Sequence, residues 1–171
     1  MKKLTLFVSF MIAGMLAADP AMQPAALTYK KFSGAGFTID APTTWAQNSS
    51  PSVALELASP DEVANYRVIV QDRAGKSSDE ILIAMEEQLS YENMLDPPQR
   101  KLKPSMLKPM AAEDCTVGAY SVEKNGISLN QRIWVLVKGT KAFVLVETTP
   151  DDNLGDYIDA FDHISKSIRL K

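Results

Sequence analysis

One histidine, one cysteine and 21 carboxylates are the raw material for chemistry in this chain of 171 residues. A Ser-His-Asp or Cys-His site would have to use His163, with Asp159 four residues earlier on the same helix face to orient it. Residue 163 lies about 200° around that helix from Phe161 at about 100° per residue, which turns it to solvent. No serine stands in a nucleophile elbow. Cys115 shares its strand pattern with Val117 and Ala119, so it reads as a small buried hydrophobe. Zinc sites use three or four His, Cys or carboxylate ligands, which one histidine and one cysteine do not make up. Asp151, Asp152, Asp156, Asp159 and Asp162 depart from the spacing of an EF-hand loop, and Gly155 is misplaced for one. They read as charges that solvate a helix face and complement its N-terminus. Gly34 and Gly36, in GAGFTIDAPTTW, precede a strand, whereas a phosphate loop follows one and opens a helix. Asn48-Ser49-Ser50 spells a glycosylation sequon, which matters only in a cell that glycosylates exported proteins. The residues therefore name no catalytic, cofactor-binding or metal-ligating position.

The elements around these residues can be read from periodicity. Phe37, Ile39 and Ala41 alternate with polar neighbours up to Pro42, and Val53, Leu55 and Leu57 alternate up to Ser59-Pro60. Tyr66 to Gln71 is a third strand, rich in β-branched residues. Ser77 and Glu80 then fit a capping box, and Ile81, Leu82, Met85 and Leu89 give the following helix one apolar face. Asp96-Pro97-Pro98 ends it. Residues 97 to 110 carry four prolines and read as a solvated connection with a short edge strand. From Cys115 the pattern is a meander, turning at Asn125-Gly126 and at Gly139. Its runs Ile133 to Val137 and Ala142 to Val146 are apolar on both faces, as central covered strands are. Leu154, Ile158, Phe161, Ile164 and Ile168 form the stripe of a final amphipathic helix. Strands, helix, strands, helix, joined largely by hairpins, make an α+β domain with helices covering a mostly antiparallel sheet.

The N-terminus obeys another rule. Lys2-Lys3, the uncharged apolar run Leu4 to Leu16 and Ala17-Ala18 have the layout of a secretory signal peptide, too short to span a bilayer as an anchor. The expected division is a signal peptide over 1–18, a linker over 19–31 with two prolines, and one domain over 32–171. Loss of Lys2 and Lys3 takes the net charge from −3 to −5, which argues against nucleic acid as a partner. A lone cysteine permits no internal disulfide, so the core alone must hold the exported domain together.

Phe37-Thr38-Ile39-Asp40-Ala41-Pro42-Thr43-Thr44-Trp45 resembles the entry motif of the PsbP-like and DcrB-like family, F-x-I-x-x-P-x-x-W. Phe161-Asp162-His163-Ile164-Ser165-Lys166-Ser167-Ile168 resembles its closing motif, F-x-x-I-x-x-S-F, with Ile168 in place of the final phenylalanine. The resemblance spans residues 32 to 171 and implies a three-layer α-β-α sandwich around an antiparallel sheet. It also implies non-catalytic binding or assembly, the theme shared by photosystem subunits, periplasmic proteins, toxin chaperones and a nuclear transport factor. It carries over no catalytic residue and no cofactor.

The expectation is an exported, periplasmic or extracellular accessory protein with a protein partner in the cell envelope. Membrane contact would come only through an uncleaved signal or a partner complex. Arg100, Lys101, Lys103, Met106, Leu107, Lys108 and Met110 are the candidate partner contacts, a locally basic and apolar stretch in an acidic protein. The segment Gln47 to Pro51 is a second candidate. The alternatives are a small hydrolase using His163 with an acidic neighbour, and a carrier with an apolar pocket between sheet and helix.

Overall fold

The computed structural model of the chain describes residues 27–91, 100–102, 112–124 and 126–171. Strands β1 (Tyr29–Gly34), β2 (Phe37–Pro42), β3 (Ala46–Asn48), β4 (Leu55–Ala58) and β5 (Asn65–Asp72) come first. Helix α1 (Ser78–Tyr91) follows, then β6 (Arg100–Leu102), β7 (Asp114–Lys124), β8 (Ile127–Lys138) and β9 (Lys141–Pro150). A 3-10 turn at Asp151–Asn153 leads into α2 (Leu154–Ser167), and β10 (Arg169–Leu170) closes the order. The strands form a small sheet β1-β2-β10 and a large sheet β3-β4-β5-β9-β8-β7-β6, antiparallel throughout.

Alternation along the central strands builds two cores. On one face Trp134 and Leu136 of β8 and Phe143 and Leu145 of β9 meet Phe161 and Ile164 of α2 and Phe37 and Ile39 of β2. On the other, Ile133, Val135 and Val137 with Ala142, Val144 and Val146 meet Ile81 and Leu82 of α1. The layers are thus α2 beside the small sheet, the large sheet, and α1, the sandwich that the resemblance implied. Each fully buried Leu, Ile or Phe contributes about 1.5–3 kcal/mol relative to an exposed one. That makes the doubly covered β8 and β9 the backbone of the fold.

The ends are fixed locally. The Ser77 N–H donates to Glu80 Oε2 (2.8 Å) and the Glu80 N–H to Ser77 Oγ (3.3 Å), the reciprocal bonds of a capping box. The Ser78 N–H donates to Asp114 Oδ2 (2.8 Å), tying the start of α1 to β7. Trp45 is buried edge-on to Phe161 at 5.8 Å between ring centroids, so the entry motif ends under α2. Gly36, at φ +85°, turns β1 into β2.

One boundary differs from expectation. Tyr29, Lys30 and Lys31, read as linker, pair with Pro42, Ala41 and Asp40 as the first half of β1. Lys30 and Lys31 are exposed and β1 buries only Phe32, so no alternation marks the strand. Residues 1–18, read as signal peptide, lie outside the described residues.

Candidate functional site

His163 sits where its helical angle placed it, exposed on α2, and its ring stacks on Tyr29 at 3.5 Å. No hydrogen bond joins it to Asp159 among the described residues, so the orienting carboxylate a hydrolase would use is not engaged. Cys115 is part-buried against the α2-side core, and burial, with the Asp114 charge beside it, pushes its thiol up to about 11. A thiol held there is protonated at neutral pH and a poor nucleophile. Two of the acidic residues before and along α2 have internal uses: Asp151 accepts from Ser128 Oγ (2.5 Å), and Asp162 from Arg132 Nη2 (2.7 Å). Among the described residues no group of three or more His, Cys, Asp or Glu stands together to hold a metal ion.

Arg100 and Lys101 lie in β6, the last strand on one edge of the large sheet, opposite Ala119 and Gly118. Lys103, Met106, Leu107, Lys108 and Met110 lie outside the described residues. Gln47 and Asn48 are exposed in β3, the opposite edge strand.

Sequence reasoning missed the polar cluster beneath α2. Tyr66 of β5, Glu147 of β9 and Arg132 of β8 stand side by side in register, on the face that α2 covers. Glu147 is buried, with Arg132 Nε on Oε2 and both Trp134 Nε1 (3.1 Å) and Ser165 Oγ (2.6 Å) on Oε1. The Ser165 hydroxyl donates to Glu147, so the Tyr66 hydroxyl donates to Ser165 Oγ at 3.0 Å. Burial raises the Glu147 pKa, while Arg132, Ser165 and Trp134 favour its charged form. Arg132, Glu147, Asn130 and Ala119 also line a cleft of about 150 Å³ under Leu154, Ile158 and Phe161. With both oxygens of Glu147 occupied, this cluster works as an anchor between sheet and helix. The available signal was a glutamate in the inward phase of Phe143, Leu145, Glu147, in an otherwise apolar strand.

A larger cavity, of about 540 Å³, opens at the other end of the sheet. Ala35 and Gly36 of the β1–β2 turn, the loop from Pro51 to Ala54, Lys138, Lys141 and Lys171 surround it, and Val70 and Phe143 form its inner wall. The strand register generates this mixture. Phe143 and Val70 are partners across β9 and β5, and Lys138 and Lys141 are partners across the β8–β9 hairpin one step further out. Gly36 stands over the Phe143 ring, where a Cβ would lie in contact with it at 3.4 Å. Apolar wall and cationic rim are complementary to an anion that carries an apolar group.

This order of strands and layers has relatives among solved structures. The fold is PsbP-like. Cyanobacterial PsbP (CyanoP) from Synechocystis sp. PCC 6803 superposes with a TM-score of 0.64 at 12% identity, over 90% of this chain and 99% of that one. Mog1p, a Ran-binding protein of Saccharomyces cerevisiae, gives 0.59 at 6% identity over 85% and 96%. LpqN, involved in cell envelope biogenesis of Mycobacterium tuberculosis, gives 0.55 at 15% identity over 85% and 92%. No protein-family model and no curated protein sequence matches the chain. At these identities the PsbP-like likeness is one of fold, and the functional reading must come from the residues.

Proposed function

We propose that this protein is an exported accessory protein that acts by binding a protein of the cell envelope and not by catalysis. The observation that carries the reading is the disposition of its chemically competent side chains. His163 stacks on Tyr29, Cys115 holds its proton in a strand, and Glu147 spends both oxygens on Arg132, Trp134 and Ser165. The signal-peptide layout of residues 1–18 supports export. The PsbP-like neighbours support the binding role, since Mog1p binds Ran and LpqN serves envelope biogenesis. The partner-facing stretch in this proposal is Arg100, Lys101, Lys103, Met106, Leu107, Lys108 and Met110, which begins on the edge strand β6.

Photocrosslinking in the native cell tests it. A crosslinkable residue at Lys101 or Lys108 is expected to give one adduct of defined mass in the envelope fraction, and the same probe at exposed Glu62 none. Charge reversal of Lys101, Lys103 and Lys108 together is expected to remove the adduct. Equal labelling from all positions, or an enzymatic activity that disappears in His163→Ala, would overturn the proposal.

A further inference from the structure

The cavity at the β8–β9 turn is charged in a way that the fold does not call for. Lys138 and Lys141 face each other directly across the hairpin, where like charges repel. Lys138 Nζ donates to the Leu170 carbonyl (2.9 Å), and Lys141 and Lys171 are exposed. Among the described residues none of the three forms an ion pair. Two side-chain carboxylates stand at the same turn without lining the cavity. Asp72 is the β5 partner of Lys141 but its Oδ1 accepts from the Ala74 N–H (2.8 Å), and Glu113 Oε1 accepts from the Gly139 N–H (3.2 Å). Three ammonium groups thus border one cavity in a chain whose net charge is −3.

The inner wall has the opposite character. Val70 and Phe143 form it, and Phe143 meets Phe37 edge-on at 6.3 Å, so the wall is part of the packed core and rigid. A bare inorganic anion would leave that apolar surface in contact with water. A neutral apolar ligand would leave the lysines uncompensated. A polyanion such as a nucleic acid would meet repulsion from the rest of an acidic protein. The volume, about 540 Å³, falls within the ordinary range for small-ligand sites, roughly 300–1,000 Å³.

We propose that this pocket binds a small amphiphilic anion, with a single carboxylate or phosphate head among Lys138, Lys141 and Lys171 and a short apolar body against Val70 and Phe143. The site is separate from the β6 edge and does not rest on the partner proposed there.

Titration of the mature protein with octanoate, octyl phosphate, octanol and inorganic phosphate, by calorimetry and by amide NMR shifts, reads both halves of the site. At least one of the two charged amphiphiles is expected to bind about tenfold or more tighter than octanol and than inorganic phosphate, with the shifts at Gly36, Val70 and Lys141. The tighter of the two identifies the head group as carboxylate or phosphate. Raising the salt from roughly 0.05 to 0.5 M is expected to weaken binding of that ligand and not of octanol. Lys141→Glu with Lys171→Glu, both at exposed positions, is expected to weaken it about tenfold or more. Ala54→Trp, at an exposed lining position, is expected to abolish it by filling the mouth. Circular dichroism checks that each variant is folded. Octanol binding as tightly as the anions, or undiminished anion binding in both variants, would overturn the assignment. Crosslinking at Lys101 should survive Lys141→Glu with Lys171→Glu, which separates failure of this site from failure of the partner proposal.

Discussion

Gly118 lies under the phenol of Tyr120, two residues along the same face of β7. A Cβ at position 118 would stand 1.9 Å from Tyr120 Oη and 2.5 Å from Cζ, so the glycine is the space that the ring occupies. Tyr120 Oη donates to Glu86 Oε1 of α1 (2.8 Å), which makes the ring a tie between helix and sheet. Gly118→Ala must swing the ring away and break that tie, at an expected cost of about 1–3 kcal/mol in urea unfolding, the usual range for overpacking. Gly118→Ala in a Tyr120→Phe background should cost less, because the ring can then move aside without breaking a bond to Glu86; equal costs would mean that the tie to Glu86 is not what the substitution breaks. Cys115 carries a second residue-scale expectation. Its thiol sits near 11 in the fold against an ordinary 9.0, because burial and Asp114 disfavour the thiolate. The protonated form is the one the fold prefers, so this contribution to stability is complete below pH 9 and is lost as pH rises towards 11. Iodoacetamide should label the native protein slowly at pH 8, with a rate still climbing above pH 10, while the denatured chain levels off near pH 9. Matching profiles would show that the thiol is open to solvent.

Between elements, the tie that matters most is the one from α2 to the centre of the large sheet. Arg132 reaches Glu147 of the neighbouring strand and Asp162 of the helix at once, and Ser165 of the helix closes the set on Glu147. Removing one partner of a buried ion pair strands the other charge, so Arg132→Met is expected to cost about 3–5 kcal/mol. Arg132→Met with Glu147→Leu should cost less than Arg132→Met alone, since no buried charge is then left unpaired. A double variant that is as unstable as the sum of both singles would show that the two side chains do not couple. This cluster also marks where sequence reading stops. Phe161 and Ile164 announced the buried face of α2 by their spacing, and Pro42 and Asn125-Gly126 announced strand end and hairpin. That Tyr66, Glu147 and Arg132 would lie side by side depends on the register of the β8–β9 hairpin and on the pairing of β9 with β5, far off in the chain. The lysine-rimmed cavity has the same origin: Lys138 and Lys141 are visibly close around Gly139, but Val70, the 51–54 loop and Gly36 reach them only through sheet order. β1 escaped notice for a different reason, having only Phe32 to bury.

At the scale of the molecule, the two cores share their walls. Every residue of β8 from Ile133 to Val137 and of β9 from Ala142 to Val146 is buried, alternately towards α2 and towards α1. Neither face can loosen without moving strands that the other face is packed on, which predicts one cooperative unfolding transition. The two tryptophans make this measurable, because Trp45 and Trp134 both belong to the α2-side core while Leu82 of α1 belongs to the other. Leu82 is fully buried, and Leu82→Ala is expected to destabilise the protein by about 2–5 kcal/mol through lost burial and the cavity left behind. That loss should appear in full in tryptophan fluorescence, although no tryptophan shares a core with Leu82, and should coincide with the far-ultraviolet circular dichroism transition. If the dichroism midpoint fell while the fluorescence midpoint stayed, α1 would be a separately melting layer. A single shared shift would instead make the doubly buried strands the structural unit that holds both the α2 anchor and the lysine-rimmed pocket in place.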